Sequence, residues 1–292
     1  MGKVTNYNLS IVIPTARCSP TLVKILKYLR KALANENVEI IIATTTDNPC
    51  NKIYESICNI VKNCKLLILE KKPLKDSRSS HSNIAISISR GKYIYKIDDD
   101  AIPTIKLLKA IIELSRQGSC DAILHLMVPL PVSIWARVRM AEKMYSSFNP
   151  YQSSCRIMKR ELFVKLGGYR EDLVLGEDIE FQHRLLGNRP RVCIIPLSRG
   201  FEIHLGEYKT LKEYVRRAWY YGKYAGTLIR QTNPLIIYKA YVKAPKALVS
   251  SLGTLIFVWL IYKYVTLAST ILRALLSQIS RLYTFIRYPD KK

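Results

Sequence analysis

Three consecutive acids, Asp98-Asp99-Asp100, follow directly on the run Gly91-Lys92-Tyr93-Ile94-Tyr95-Lys96-Ile97. Adjacent carboxylates repel one another, and a fold keeps them together most readily where a divalent cation neutralises them. An all-oxygen donor set suits a hard ion, Mg²⁺ or Mn²⁺, of the kind that bridges a diphosphate. Three acids alone also fit a solvated acidic turn. Position argues for the cation: the preceding run alternates at period two, as a strand does, and open α/β sheets bind ligands outside the carboxyl ends of their strands. A second pair, Glu177-Asp178, follows Gly176 at the start of a helical segment. Acids at a helix start are favoured by the macrodipole, and a carboxylate there can also act as a general base toward an incoming hydroxyl. His204, in Phe201-Glu202-Ile203-His204-Leu205, reads either as a satisfied structural histidine or as the completion of a metal shell.

The elements that must position these groups alternate along the chain. Leu9–Thr15 reads as a strand stopped by Pro14, Thr21–Leu33 as an amphipathic helix, Val38–Ala43 as a strand, 51–62 as a helix and 65–69 as a strand. A polar, basic stretch then leads into a helix through Ser89, and the strand into the acids follows. This rhythm means a βαβ series and a largely parallel sheet. Beyond the acids, Thr104–Ser115 reads as a helix, Ala122–Val128 as one strand, Ser133–Ser146 as a helix and 155–158 as a strand. A helix over 160–166, the turn Gly167-Gly168-Tyr169, a helix from Gly176 to Gly187 and a strand over 191–195 complete the reading.

The net charge is +24 over 292 residues. Residues 205–292 hold 15 of the 46 basic residues and only three of the 22 acids. This third is also apolar: residues 247–262 are 16 positions without a charge, short of the roughly 20 a bilayer span needs. Downstream, Lys263, Thr266, Thr270, Arg273, Ser277, Arg281, Thr284 and Arg287 recur at helical spacing. An interfacial amphipathic helix behind a short dipping or spanning segment is the expectation, with the aromatic, basic helix 211–229 at the headgroup level. A soluble partner-binding helix is the plainer alternative. Charge alone permits nucleic-acid binding, but no zinc-finger, RNP or basic-zipper pattern is present. Seven cysteines without a Cys-x-x-Cys read as reduced thiols of a cytoplasmic domain. The polar N-terminus does not read as a signal peptide.

Taken in order, Ile11-Val12-Ile13-Pro14-Thr15, Asn83 ahead of Gly91-Lys92-Tyr93, Asp98-x-Asp100 followed by Pro103, Gly167-Gly168-Tyr169, Glu177-Asp178 and His204 resemble the family 2 inverting glycosyltransferases of the GT-A fold, over about residues 9–222. The resemblance implies an α/β fold with a Rossmann-like mixed sheet, a nucleotide-diphosphate sugar donor and a divalent metal, Mn²⁺ or Mg²⁺. Carried onto this chain, Asp98, Asp100 and His204 would hold the metal, with Asp98 also near the ribose. Pro14, Thr15, Arg17, Asp47, Arg78 and Asp99 would line the nucleotide-sugar site. Asp178 would be the catalytic base, with Glu177 the second choice. The family often has acids directly after the second strand; Thr44-Thr45-Thr46 stand there, leaving Asp47 to read the nucleobase from a shifted loop or the base to be read differently. Gln182-His183-Arg184 does not match the Gln-x-x-Arg-Trp signature of processive members, so one sugar per encounter is expected. The implied organisation is a catalytic domain over 1–208, basic aromatic interfacial helices over 209–246 and a membrane-associated tail over 247–292, the catalytic domain being cytoplasmic. The membrane reading of the C-terminal third makes a lipid-linked acceptor the expectation, a polyprenyl glycan or phosphate. Two other classes compete: a non-catalytic basic module binding membrane or nucleic acid, and a nucleotidyltransferase on the same fold. Pro14-Thr15-Ala16-Arg17-Cys18 lacks the glycine-rich loop of the latter.

Overall fold

A computed structural model describes residues 7–16, 18–70, 77–146 and 154–217, together with isolated positions from 219 onward. Arg17, the loop 71–76 and nearly all of the expected interfacial and membrane-associated segments, including 247–262, lie outside the described residues. Residues 211–217 are helical. Among the described residues no helix is long and apolar enough to cross a membrane.

The first half follows the alternation of the sequence: β1 (Tyr7–Pro14), α1 (Pro20–Ala32), β2 (Val38–Thr45), α2 (Asn51–Ile60), β3 (Cys64–Leu69), α3 (Ser77–Ile88) and β4 (Gly91–Lys96). Then come β5 (Ala101–Pro103), α4 (Ile105–Gln117), β6 (Ala122–Leu124), β7 (Met127–Pro129), α5 (Ile134–Ser146), β8 (Ile157–Lys159), α6 (Arg160–Lys165), α7 (Glu177–Gly187), β9 (Val192–Ile194) and β10 (Glu202–His204). The main sheet has the order β3-β2-β1-β4-β8-β6-β9. Its first four strands are parallel, and β8 runs antiparallel to both its neighbours. The sheet is therefore mixed, as expected. Helices cover both faces. On one, Leu22, Ile25, Leu26 and Leu29 of α1 form the i, i+3, i+4, i+7 stripe against Leu9, Ile11 and Ile13. On the other, Ala85 and Ile86 of α3, Phe163 of α6 and Phe181 of α7 pack on Val12, Ile41 and Ile94.

Local signals set the helix ends. Ser19 caps α1, accepting from the Leu22 N–H, and Pro20 occupies the first turn. Thr104 caps α4 in the same way, and Gly118 closes that helix in the left-handed region at φ 68°. Thr104 also accepts from the Phe201 N–H at 3.1 Å, tying the chain before β10 to the start of α4.

Two expectations are corrected. The segment 122–128 is not one strand. It breaks at His125-Leu126 into β6 in the main sheet and β7 in a second, three-stranded sheet of order β5-β10-β7. The buried His125 side chain lies 3.3 Å from the Glu202 carboxylate of β10, which holds the break in place. The cysteines are not reduced thiols: Cys18–Cys50, Cys58–Cys64 and Cys120–Cys193 are disulfides with Cα separations of 5.0, 4.9 and 5.7 Å, and Cys155 is the free, buried one. These spacings lie within the range a disulfide spans. Paired cysteines mark an oxidising compartment or, inside cells, hyperthermophile proteins.

Candidate active site

Because β1, β2 and β4 are parallel, the segments that follow them leave the sheet at one edge: Thr15 after β1, Thr46-Asp47 after β2 and the three acids after β4. The acids then diverge. Asp99 turns to the β1 loop, where it accepts from the Thr15 hydroxyl at 2.7 Å, while Ser19 Oγ donates to the Asp99 carbonyl at 3.1 Å. Asp98 turns the other way and pairs with Arg156 at 2.7 Å. Asp100 faces the second sheet: its carbonyl accepts from the Leu205 N–H at 2.8 Å, and His204 Nε2 lies 3.5 Å from its carboxylate. The register of the second sheet makes this possible, since β10 pairs antiparallel with β5 and sets His204 opposite Ala101.

His204 is held from behind. Its Nδ1 lies 2.7 Å from the buried Glu207 carboxylate, which in turn meets Arg139 at 3.4 Å. With a cation between His204 and Asp100, the carboxylate on Nδ1 would make that nitrogen the donor and turn the Nε2 lone pair to the ion. Burial works against a charged Glu207, but the bond to His204 and the Arg139 charge outweigh it and hold the carboxyl below the usual range. Gly206 leaves room for this arrangement. A Cβ at that position would collide with the Asp100 carboxylate. Donor atoms of Asp98, Asp100 and His204 all lie within 4.8 Å of one another. Two hard carboxylates and one oriented imidazole, with a glycine clearing the space beside them, fit a divalent ion, and the histidine is a ligand Mn²⁺ accepts more readily than Mg²⁺.

Beneath Asp98 lies a buried polar network. Arg156 bridges Asp98 and Glu202, the latter at 3.4 Å. Glu202 also accepts from the Tyr95 hydroxyl and meets His125. Burial disfavours the Asp98 anion, yet Arg156, Lys96 and Arg78 outweigh it and keep the carboxyl far below the ordinary carboxylate range. Glu202 is lowered in the same manner, chiefly by its bond to His125 and the Arg156 charge. Burial and Glu202 together push Tyr95 well up, so it stays a neutral donor.

Beyond Asp98 opens a cavity of about 260 Å³. Asp98, Glu177 and Asp178 line it, and so do Arg78, Lys96 and Arg156. Glu177 is 4% exposed and paired with Arg78 at 2.9 Å. Asp178 is half-buried, with one carboxylate oxygen accepting from the Ile179 N–H at 2.9 Å. Tyr169 forms part of the wall. Asn83 of α3 holds it from both sides: the side-chain amide donates to the Tyr169 carbonyl and its oxygen accepts from the Tyr169 N–H, each at 2.8 Å. Gly168, at φ 70°, brings its Cα so close to Asn83 that a Cβ would lie 2.7 Å from the Asn83 oxygen. The Gly-Gly-Tyr turn is thus built around that clamp.

The profile of the family described as "Glycosyl transferase family 2" matches residues 10–166, more than half of the chain. The chain belongs to glycosyl transferase family 2. It is a glycosyltransferase of the GT-A type. Among solved structures, mannosyltransferase PcManGT from Pyrobaculum calidifontis, in complex with GDP-Man and Mn²⁺, superposes with a TM-score of 0.61 at 14% identity, over 92% of this chain and 87% of that one. TarS 1–349 from S. aureus, in complex with UDP-GlcNAc, gives 0.53 at 12% identity, over 94% and 91%. The chain spans 41% of a longer TarS structure. At these identities the likeness is one of fold. No curated protein matches the sequence.

Most residues expected to act in this glycosyltransferase converge. Pro14, Thr15 and Asp99 share the β1 side; Asp98, Asp100 and His204 form the donor set; Arg78, Glu177 and Asp178 line the cavity. Asp47 is exposed in the turn after β2, at the same sheet edge. Thr44 and Thr45 are buried: Asn48 donates to Thr44 Oγ1 at 2.9 Å and Thr44 in turn donates to Asn51, while the Thr45 hydroxyl points to the Ala16 carbonyl after β1 at 3.5 Å. Asp98 is directed to Arg156 and the cavity, leaving Asp99 on the side of Pro14 and Thr15. Sequence reading missed Lys96, Arg156, Glu202 and Glu207. Only faint signals pointed to them: lone charges in or beside short apolar strands, and a glutamate three residues after His204.

Proposed function

We propose that this glycosyltransferase is a metal-dependent, inverting enzyme that moves one sugar from a nucleotide-diphosphate donor to a hydroxyl of a lipid-linked, polyprenyl-type acceptor at a membrane surface. The observation that carries this reading is the single cavity shared by Asp98, from the candidate metal set, and Asp178. The GDP-Man and Mn²⁺ bound to the mannosyltransferase and the UDP-GlcNAc bound to TarS support a nucleotide-sugar donor and a divalent ion. A family 2 glycosyltransferase leaves no role for the two competing classes, the non-catalytic basic module and the nucleotidyltransferase.

In this reading Thr15 and Asp99 bound the nucleotide side. Asp98, Asp100 and His204 would hold the divalent ion, which offsets the charge building on the leaving diphosphate. Asp178 takes the proton of the acceptor hydroxyl as its oxygen attacks the anomeric carbon. The new C–O bond forms on the face opposite the bond to the diphosphate, which leaves with its electron pair, so the configuration inverts. Asp178 suits the role better than Glu177, because Glu177 is buried and already paired with Arg78 at 2.9 Å. The membrane part rests on residues 205–292, whose excess of 15 basic residues over three acids and 16-residue uncharged run suit an anionic lipid face. If the tail spans, the positive-inside rule sets the catalytic domain on the cytoplasmic side, which the three disulfides allow in a cell that keeps internal proteins oxidised, as hyperthermophiles do.

Stereochemistry tests the mechanism without the acceptor. When water takes the acceptor's place, the first sugar released from an α-linked nucleotide sugar is the β-anomer, seen by proton NMR before mutarotation. The α-anomer appearing first would contradict direct displacement.

A further inference from the structure

Lys96 is the last residue of β4, two positions before Asp98 and in the middle of the main sheet. It is 5% exposed and its side chain lines the cavity. Its ammonium stands 4.6 Å from the centre of the Tyr169 ring. Among the described residues it makes neither an ion pair nor a hydrogen bond. The acids whose charges act on it are engaged elsewhere, Asp98 with Arg156 at 2.7 Å and Glu177 with Arg78 at 2.9 Å. An ammonium open only to the cavity and without an anion in contact is costly, and a ring face returns only part of that cost. Arg139 and Lys143 of α5 face the same space. The cavity wall carries five cations, Arg78, Lys96, Arg139, Lys143 and Arg156, and three acids, Asp98, Glu177 and Asp178; Glu207 and Glu202 behind the wall pair with Arg139 and Arg156, so it is the Lys96 ammonium that a ligand would meet.

We propose that this cavity binds an oxyanion, a phosphate or carboxylate, borne by one of the two sugar substrates next to the reacting carbon, with Lys96 as its buried contact. The proposal rests on the reading of the cavity as the place of transfer. A phosphate would come from an acceptor bearing a phosphate close to the hydroxyl that attacks. A carboxylate would come from a uronic-acid donor. Lys96 is the specificity determinant in either case: it discriminates a charged from a neutral sugar, because a neutral one leaves the ammonium uncompensated.

The test uses the full chain. Nucleotide hexuronates are compared with the corresponding nucleotide hexoses, and hexoside phosphates with unphosphorylated hexosides. In one arm the charged substrate is expected to be favoured at least tenfold in kcat/KM, and that arm names the source. Lys96→Met, which conserves volume in a buried position, should collapse the charged-to-neutral ratio by at least tenfold. Equal losses for charged and neutral substrates, or weaker binding of the nucleoside diphosphate in Lys96→Met, would place the lysine in the scaffold or the donor diphosphate site and overturn the proposal. A second readout needs no turnover. Millimolar inorganic phosphate should raise the wild-type Tm and leave that of Lys96→Met unmoved. No rise in the wild type would overturn the proposal as well. If the wild type turns over no nucleotide sugar at all, the transfer mechanism fails separately, and the phosphate titration still decides whether an anion site exists.

Discussion

Asp178→Asn should lower kcat by about 10²–10⁴-fold, some 3–5 kcal/mol of barrier, while the donor binds as before. Asparagine has nearly the same shape. Its carbonyl oxygen can still accept from the Ile179 N–H that the aspartate accepts from at 2.9 Å, so the start of α7 is kept and only the basicity is lost. Glu177 cannot stand in: it is buried and held by Arg78 at 2.9 Å. Glu177→Gln acts differently, weakening the pairing with Arg78 and the shape of the cavity, so it should raise KM more than it lowers kcat. Steady-state kinetics with a saturating donor separates the two. A kcat fall as deep in Glu177→Gln as in Asp178→Asn would reassign the base, and near-normal activity in Asp178→Asn would mean that the acceptor arrives already ionised.

Asp100→Ala should cost as much by a different route. Its carboxylate is one of three candidate ligands, and its loss leaves Asp98, already paired with Arg156, and His204. Mn²⁺ affinity is expected to fall by two orders of magnitude or more, and kcat/KM with it, since the ion supplies several kcal/mol of charge stabilisation at the leaving group. Gly206→Ala provides an independent check that removes no ligand. Its methyl group would occupy the position of the Asp100 carboxylate, so metal affinity should drop at least tenfold. Isothermal titration with Mn²⁺ reads both variants. Unchanged affinity in both would remove the ion from this set of residues.

The parts of this site legible in the sequence were those where chemistry interrupts an apolar pattern at an element's end. Asp98–Asp100 close a strand, Glu177-Asp178 open a helix and Gly167-Gly168 mark a turn, so type and position reinforced one another. Asn83 was legible only as a helix residue before Gly91. Its work, gripping the Tyr169 backbone from 86 residues away, belongs to the tertiary fold. The support beneath the acids was hidden for the same reason. Arg156, Glu202 and Glu207 each sit in or beside a strand of three residues, too short to show which side faces inward. A lone charge there reads as an exposed edge until its partner is known. Ala101–Pro103 was missed as a strand on the same ground, although it is the register of β5 with β10 that brings His204 to Asp100. Two of the three disulfides join positions that only the fold makes neighbours, Cys18 with Cys50 and Cys120 with Cys193, 32 and 73 residues apart.

The central claim is metal-dependent transfer from a nucleotide sugar, and it is met most directly by following nucleoside diphosphate release from a panel of nucleotide sugars, with and without Mn²⁺, in the full chain and in Asp100→Ala. The expected result is release from one donor that requires the ion and disappears in the variant. Release that survives both chelation and Asp100→Ala would contradict the account.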